Sequence, residues 1–343
     1  MSGVLLVGNF LSGSRMSRGV CEDLAEHLAV AGWQVLTTSS KLGRVTRLFD
    51  MTKTTWQQRH SYEVAQVDVF SGPSFLWAEV VTWVLRQAKK PFILTLHGGN
   101  LPVFARNRPK RVARLLESAV AVTVPSVYLL EQMKFYRREL ILLPNPIDVS
   151  RYSFRLRTRP QPHLVWLRAF HQIYNPMLVP ETVVQLVDEF PDIKVIMAGS
   201  DKGDGSLQAT QRAAHTHGIF ERIEFPGQVK KFDVPIWLNK GDIFINTANV
   251  DNTPISVMEA MACGLCVIST NVGGIPYMLK NEQDALLVKP NDPTAMAQAV
   301  KRVLQIDNLS QQLSTTARRK VEAMDWACIL PQWEILLHKY SRN

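Results

Sequence analysis

Residues 242–276 read DIFINTANVDNTPISVMEAMACGLCVISTNVGGIP, and they contain two apolar runs joined by a helical pattern. The runs DIFINT (242–247) and LCVIST (265–270) are rich in branched residues, which is typical of buried strands, and residues 254–263 have the pattern of a helix between them. The same alternation continues through nearly the whole chain. It indicates parallel sheets covered by helices on both faces, the doubly wound α/β class.

Short apolar runs and amphipathic stretches alternate on both sides of this segment. Further strands are predicted at 4–7, 34–38, 67–70, 92–96, 120–124, 140–143, 163–167, 193–199, 222–227 and 285–288. Helices are predicted at 17–31, 77–89, 109–117, 126–138, 176–189, 206–217, 293–305 and 331–340. The alternation lapses at about 150–162, a basic stretch with prolines, which predicts a linker between two Rossmann-like domains, 1–150 and 151–325. Ligands of such folds bind at the carboxyl ends of the strands, so we expect a cleft between the domains.

Composition and cysteine usage limit the class of protein. The chain has 343 residues, of which 46% are hydrophobic and 20% charged, an ordinary globular balance that suggests two domains. It lacks an apolar run of the roughly 18 residues that a membrane span needs, and its first residues lack the basic region of a secretion signal, so we expect a cytoplasmic protein. The lone C-x-x-C of Cys263 and Cys266 crosses a helix end and an apolar strand, which favours packing over a metal or redox site.

The positive charge is concentrated in the first half of the chain. Residues 1–150 hold 18 Lys and Arg against 11 Asp and Glu, whereas residues 151–343 hold 21 against 19. A basic half suggests an anionic partner, such as a phosphate-bearing acceptor or an anionic membrane surface. The stretch ARNRPKRVARLL (105–116) is the densest cluster, and Pro109 can begin a helix that directs Val112, Leu115 and Leu116 inward. Nucleic acid is a third possible anionic partner but the least favoured one, because the chain has neither zinc-finger spacing nor an RNA-binding signature.

The segment from Asp251 to Pro276 carries the chemistry. Thr253 is a good N-cap and Pro254 suits the first helical position, so Thr253, Pro254 and Ile255 should form a helix start that binds a phosphate. Asp251 precedes this helix and Glu259 lies one to two turns into it. The two carboxylates could therefore reach a sugar and a ribose on either side of a diphosphate. Gly273-Gly274 predicts a loop where backbone can approach a ligand closely.

This segment resembles the signature of the retaining GT-B glycosyltransferases of the group 1, family 4 type, which carry an E-x7-E motif followed by EAMA-G-PV-(A/S)T-VGG. Here the motif is Asp251, seven residues, then Glu259. Further matches occur in the same order along the chain: LTLHGGN (94–100), LLPNPID (142–148), LRAFHQIYNP (167–176) and the closing MDWACILPQWEILLHKY. The resemblance implies two Rossmann-like domains facing a cleft, with a C-terminal helix, 326–343, that crosses back onto the first domain.

The resemblance also implies an activity and roles for single residues. It implies transfer of a sugar from a nucleoside-diphosphate sugar to a glycan or lipid-linked acceptor, with retention and without a metal or other cofactor, in glycan or cell-surface polysaccharide biosynthesis. Glu259 would bind the ribose and Asp251 the donor sugar. Arg168 would neutralise the diphosphate, and His97 would lie at the reacting centre. The first loop, from Gly8 to Gly13 with Arg15, would face the diphosphate.

Three positions depart from the family pattern. Asp251 stands where glutamate is common, Cys266 where proline is usual, and the diphosphate lysine is missing, with Asn175 as the nearest match. We expect Lys202, Arg15, Arg18 or Lys230 to compensate, or the donor to be held differently.

Three alternative functions remain at this stage. One is a sugar-nucleotide epimerase, for which Asp68 and Glu79 are candidate carboxylates. Another is a non-catalytic subunit with the same fold. The third is a nicotinamide-dependent dehydrogenase, but GNFLSGSRMSRG does not fit the spacing of its glycine fingerprint.

Overall fold

The computed structural model describes residues 2–11 and 19–341, and these form two compact units. Unit 1 comprises the described residues up to Pro146 and those from Trp326 onward, and unit 2 is Ile147–Asp325. Each described unit contains a parallel six-stranded sheet with helices on both faces. The predicted fold class, two doubly wound α/β domains, is therefore confirmed.

The unit 1 sheet has the strand order β2-β1-β3-β4-β5-β6. Its strands are β1 (Gly3–Val7), β2 (Gln34–Thr38), β3 (Val64–Val69), β4 (Phe92–Leu96), β5 (Ala121–Val124) and β6 (Ile141–Leu142). Its helices are α1 (Val20–Val30), α2 (Arg44–Gln57), α3 (Phe75–Gln87), α4 (Leu101–Asn107), α5 (Pro109–Glu117), α6 (Val127–Met133) and, from the end of the chain, α14 (Trp326–Ser341).

Successive residues of a unit 1 strand enter two different hydrophobic clusters, one on each face of the sheet. In β1, Leu5 and Val7 join one cluster, whereas Val4 and Leu6 join the other. The second cluster also contains Trp326 and Trp333 of α14, so the last helix completes the core of unit 1. The helix begins at Trp326, the first residue of the C-terminal helix that the resemblance implies, and five residues before the start that the amphipathic pattern predicts at Pro331.

The unit 2 sheet has the strand order β12-β11-β10-β7-β8-β9. Its strands are β7 (His163–Leu167), β8 (Lys194–Ala198), β9 (Ile223–Gly227), β10 (Ile243–Asn246), β11 (Cys266–Thr270) and β12 (Leu286–Val288). Its helices are α7 (Leu178–Val183), α8 (Ser206–Thr216), α9 (Val234–Asn239), α10 (Ile255–Cys263), α11 (Ile275–Met278), α12 (Pro293–Gln305) and α13 (Leu309–Glu322). Cys266 and Cys263 lie in the clusters on opposite faces, as buried free thiols whose pKa burial raises to about 12.

The segment predicted as a linker, 150–162, packs into unit 2. Arg157 is fully buried there, and its guanidinium bonds Asp242 Oδ1 (3.3 Å from Nε), the Gly241 carbonyl (3.0 Å) and the Cys263 carbonyl. The unit begins at Ile147 rather than residue 151 because its entry is tied to its own end. The Ile147 N–H donates to the Met324 carbonyl at 3.0 Å. In a free linker the Arg157 guanidinium and the Ile147 N–H would be exposed to water. Here both form hydrogen bonds within unit 2, so the segment is part of that unit.

Among the described residues, five helices lie where the sequence predicts none, namely α2, α4, α9, α11 and α13, and a predicted helix is shorter than expected. Helix α2 was not predicted, because the residues that it buries are Arg47, Met51 and Thr55, of which only one is apolar. The helix predicted at 176–189 is regular only over Leu178–Val183.

Candidate functional site

The strand order of the unit 2 sheet reverses between β7 and β10, and polar side chains follow both strands. β7 is the first strand of the unit; β8 and β9 lie on one side of it, and β10 and β11 on the other. Arg168 comes directly after β7, and Asp251 lies in the loop that connects β10 to α10. Ligands of open α/β sheets bind at such a switch point, outside the carboxyl ends of the strands.

Arg168 and Asp251 form an ion pair at this point. The other carboxylate oxygen of Asp251 accepts a hydrogen bond from the Asn252 N–H at 2.9 Å. The ring of Tyr174 lies against the guanidinium, with 4.3 Å between Arg168 Cζ and the ring centroid. Burial lowers the pKa of Arg168 from its ordinary value, because desolvation disfavours the charged form. A cation and a carboxylate predicted to contact one donor therefore lie side by side.

Backbone packing holds the two loops together. The Arg168 N–H donates to the Ala198 carbonyl at 3.1 Å, and Gly199 passes so close that a Cβ there would lie 1.7 Å from the Arg168 carbonyl oxygen. On the other side, the Thr247 hydroxyl donates to the Tyr174 carbonyl at 2.6 Å. The ion pair therefore lies on a rigid frame formed by the ends of β7, β8 and β10.

Helix α10 begins at Ile255, with Pro254 as its N-cap, so the predicted N-cap Thr253 is wrong by one residue. Proline has no N–H, and the N–H groups of Ile255 and Ser256 in the first turn have no acceptor within the helix. The hydroxyls of Thr253 and Ser256 and the Nε of Arg168 are buried without a hydrogen-bond partner among the described residues. Buried polar groups are almost always paired, so this cluster of donors fits an anionic group.

The glycine pair after β11 supports the acidic loop rather than leaving space for a ligand. A Cβ on Gly273 would lie 2.1 Å from the Asp251 carbonyl oxygen, and one on Gly274 would lie 2.2 Å from that of Asn252. The Gly274 N–H also donates to the Asp251 carbonyl at 3.0 Å. The close approach predicted at this loop is therefore made to the backbone that carries Asp251.

Glu259 lies on α10 with its carboxylate buried, and it accepts a hydrogen bond from the Tyr152 hydroxyl at 2.8 Å. Burial, with the nearby Glu259 carboxylate, raises the pKa of Tyr152 well above its ordinary value. Sequence reasoning missed Tyr152, because a single aromatic residue in a basic stretch is a weak signal. The contact orients the carboxylate of Glu259.

The position of the missing lysine is occupied by a structural turn. Asn175 has a left-handed conformation with φ of 44°, and its amide bonds Asn291 Oδ1 at 2.9 Å. Two of the proposed substitutes follow the neighbouring strands as exposed side chains, Lys202 after β8 and Lys230 after β9. Lys202 is the better anchored, because its N–H donates to the Phe170 carbonyl at 3.2 Å. Gly13, Arg15 and Arg18 lie outside the described residues.

In unit 1, His97 follows β4 and contacts Asp68 on the adjacent strand β3. His97 Nε2 lies 2.9 Å from Asp68 Oδ1, and the Gln66 amide donates to the same oxygen at 2.8 Å. The Phe70 ring stacks on the imidazole, with 4.9 Å between the ring centroids. Gly8 follows β1, where a Cβ would lie 2.6 Å from Asp68 Oδ2. Asp68 and His97 therefore lie near the strand-order reversal of this sheet, between β1 and β3.

The basic segment 105–116 forms α4 and α5. Helix α5 begins at Pro109 as predicted, and Val112, Leu115 and Leu116 are buried. Arg111 forms an ion pair with Glu79, with Nε 2.7 Å from Oε1. Glu79 is thus engaged by a cation, which leaves Asp68 as the better placed of the two candidate carboxylates.

Neither a metal cluster nor a membrane span occurs in the part of the chain that the structure describes. Over these residues, no three His, Cys, Asp or Glu side chains are grouped so that they could hold a metal ion. None of the helices described above is long and apolar enough to cross a bilayer.

Comparison with known proteins gives the family to which this arrangement is similar. Residues 160–320 match the family described as glycosyl transferases group 1. The matched segment contains Arg168, Asp251, Glu259 and all six strands of unit 2. The match therefore shows that unit 2, rather than the whole chain, is similar to this family.

Relatives and solved structures extend the similarity beyond this segment. The chain is 28% identical over 257 residues to a putative teichuronic acid biosynthesis glycosyltransferase, TuaC, of Bacillus subtilis, covering 72% of this chain and 63% of the relative. It spans between 34% and 63% of the length of eight curated relatives that it matches. Sucrose-phosphate synthase from Thermosynechococcus elongatus superposes with a TM-score of 0.78 at 18% identity, covering 99% of each chain. Anabaena HepE in complex with UDP and glucose superposes with a TM-score of 0.77 at 15% identity, covering 99% of this chain and all of that one. These likenesses confirm the two-domain GT-B fold.

Proposed function

We propose that this protein transfers a sugar from a nucleoside-diphosphate sugar to an acceptor with retention of the anomeric configuration. The acceptor is a glycan or a lipid-linked acceptor, and the pathway is glycan or cell-surface polysaccharide biosynthesis. The relative TuaC is described as a putative teichuronic acid biosynthesis glycosyltransferase. No metal takes part in this proposal.

One observation carries the proposal: buried polar groups that have no hydrogen-bond partner among the described residues lie together at the start of α10, beside Arg168. They are the Thr253 and Ser256 hydroxyls and Arg168 Nε, together with the first-turn N–H groups of the helix. These groups match the requirements of a diphosphate, which is anionic and accepts several hydrogen bonds. The carboxylates of Asp251 and Glu259 on either side suit the hydroxyls of a sugar and of a ribose.

The chemistry follows from this arrangement. The bond between the anomeric carbon and the diphosphate oxygen breaks, and a bond from that carbon to the acceptor oxygen forms on the same face of the sugar. The acceptor proton passes to the leaving diphosphate. Negative charge grows on the leaving group, and Arg168, the α10 N–H groups and Lys202 stabilise it electrostatically. Before the donor binds, Asp251 neutralises Arg168, and on binding it turns to the sugar hydroxyls.

Unit 1 supplies His97 to the reaction in this proposal. The contact with Asp68 fixes the imidazole, and Phe70 packs on its face, so the ring has a defined orientation. An imidazole held in this way suits a hydrogen bond to a hydroxyl of the donor sugar or of the acceptor.

A second candidate function is favoured by Asp68. A hydrolytic sugar-nucleotide epimerase needs a catalytic carboxylate in the first domain, and Asp68 is a nearly buried carboxylate beside a histidine. However, the Asp68 carboxylate already bonds His97 and Gln66, which supports a role in positioning His97 rather than in catalysis.

The proposal is tested first by binding and then by product analysis. Saturation binding of UDP, GDP and ADP identifies the base, and UDP is the first choice because HepE was crystallised with UDP and with UDP-glucose. The corresponding sugar nucleotides are then incubated with the protein, and slow donor hydrolysis is followed by proton NMR. We expect the first sugar released to have the anomeric configuration of the donor.

The other outcomes each overturn part of the proposal. Release of the inverted anomer would refute retention, and appearance of a 2-epimer would favour the epimerase. Nucleotide binding without turnover, in the presence of an acceptor extract, would indicate the non-catalytic subunit. Absence of binding to all three nucleotides would refute the donor site.

A further inference from the structure

Helix α2 of unit 1 presents an apolar stripe to solvent. Val45, Phe49 and Trp56 recur at helical spacing on one side, with exposed fractions of 82%, 67% and 46%. The opposite side, with Met51 and Thr55, is buried against the unit. The solvent-exposed face of a surface helix is ordinarily polar, whereas the exposed face of α2 carries large hydrophobic side chains.

A neighbouring helix extends this stripe into a continuous surface. Trp83 of α3 is 55% exposed, and it lines a groove of about 530 Å³ together with Phe49, Lys53 and Trp56. We call Val45, Phe49, Trp56 and Trp83 the aromatic patch. Contiguous exposed apolar surface of this kind marks an interaction site, whereas single exposed residues do not.

The charges around the aromatic patch are predominantly positive. Residues 41–60 contain five Lys and Arg against a single acidic residue, Asp50. Arg44 and Lys53 have no ion-pair partner among the described residues, and the Arg59 guanidinium packs on the Trp56 ring at 4.5 Å. Asp50 is half-buried and accepts a hydrogen bond from the Thr38 hydroxyl at 3.4 Å.

Tryptophan and phenylalanine flanked by lysine and arginine are the side chains that insert at the boundary between lipid headgroups and acyl chains. We propose that the aromatic patch docks this protein reversibly on an anionic lipid surface. The aromatic rings enter the headgroup boundary, and Arg44, Lys53 and Arg59 contact the anionic headgroups. The proposal is independent of the donor site, which lies in unit 2.

This surface differs from the basic segment 105–116, where the sequence predicts a membrane contact. There the apolar residues of α5 face the core, and Arg111 is already paired with Glu79. That segment offers cations without side chains to insert, whereas the aromatic patch offers both.

Co-sedimentation of the full chain with vesicles tests the proposal. One vesicle is phosphatidylcholine alone, and the other is phosphatidylcholine mixed with phosphatidylglycerol, each at low and high salt. We expect binding to the anionic vesicle that weakens with salt. The double variant Trp56→Ser/Trp83→Ser should bind at least about tenfold more weakly, because two interfacial anchors are lost.

Matched controls separate the patch from general hydrophobicity and charge. Phe232→Ser removes a more exposed aromatic residue (86%) beside Lys231 in unit 2, and it should leave vesicle binding unchanged. Lys53→Glu should weaken binding more than Arg114→Glu, which makes the same charge change in the basic segment. UDP affinity, measured on every variant, reports that unit 2 is intact.

Three results would overturn the proposal. The first is a parent protein that binds neither vesicle. The second is a tryptophan variant that binds like the parent. The third is a parent that is dimeric by light scattering while the tryptophan variant is monomeric, which would make the patch an interface between copies of the chain.

Discussion

Gly274 is the position where one added methyl group should disturb the candidate donor site most directly. Its φ of −84° is ordinary for any residue, so alanine there brings no backbone strain. The new Cβ would lie 2.2 Å from the Asn252 carbonyl oxygen, and real Cβ contacts are essentially never shorter than 3.0 Å. The loop that carries Asp251 must therefore move by 0.8 Å or more, which is the difference between these two distances.

The magnitude follows from what this loop holds. It connects the Arg168–Asp251 pair to the start of α10, so one shift misplaces both the carboxylate and the first-turn N–H groups. A misplacement of about 1 Å can lower a rate by about a hundredfold, and we expect that loss in donor turnover. UDP affinity should fall by about tenfold, or about 1.4 kcal/mol. Overpacking should lower the free energy of unfolding by about 1–3 kcal/mol.

Isothermal titration calorimetry with UDP measures the affinity, and thermal unfolding followed by circular dichroism checks the fold. Gly218→Ala is the matched control, because Gly218 has a φ of +67° and open space where its Cβ would lie. It should lower the free energy of unfolding by about 1–2 kcal/mol through backbone strain alone and leave UDP affinity unchanged. A Gly274→Ala protein that binds UDP as tightly as Gly218→Ala would refute the reasoning that this contact sets the donor loop.

Three further predictions concern single side chains. Glu259→Gln should weaken nucleotide affinity by about 1.5–3 kcal/mol in titration calorimetry, because the charged hydrogen bonds to the ribose are lost. Arg168→Ala should lower the turnover rate more than the nucleotide affinity. If both variants bind nucleotide like the parent protein, the assignment of the donor site is contradicted. His97→Ala should lower transfer without changing nucleotide affinity, and unchanged transfer rates would reduce His97 to a packing role. Arg157→Met should lower the free energy of unfolding by about 3–5 kcal/mol in urea denaturation, because the buried Asp242 loses a buried partner. The control Arg155→Met removes a half-exposed cation from the same carboxylate and should lower it by about 1 kcal/mol or less. Equal losses for the two variants would contradict the idea that burial of Arg157 makes its ion pair the more important one.

Local patterns in the sequence were sufficient for the fold class and for most of its strands. The runs at 92–96 and 163–167 coincide with β4 and β7, because a strand buried on both faces needs a continuous apolar run. The run at 34–38 coincides with β2, an edge strand that is only partly buried. The start of α10 was predicted to within one residue, because a proline before an apolar helical pattern is a local signal. Helix α2 escaped prediction because tertiary packing buries Arg47 and Thr55 and leaves Phe49 and Trp56 exposed, the reverse of the usual pattern.

The composition of the candidate site was decided by tertiary structure. Asp251 and Glu259 are close along the chain, and their spacing on a loop and a helix could be seen in the sequence. Arg168 meets Asp251 only because β7 and β10 are neighbours in the sheet, although 75 residues separate the two strands at their nearest ends. Tyr152 reaches Glu259 only because the segment after Ile147 folds onto unit 2 instead of running free as a linker. Periodicity records which face of an element is buried, but the pairing of distant side chains depends on the order of strands in the sheet, which no local pattern contains.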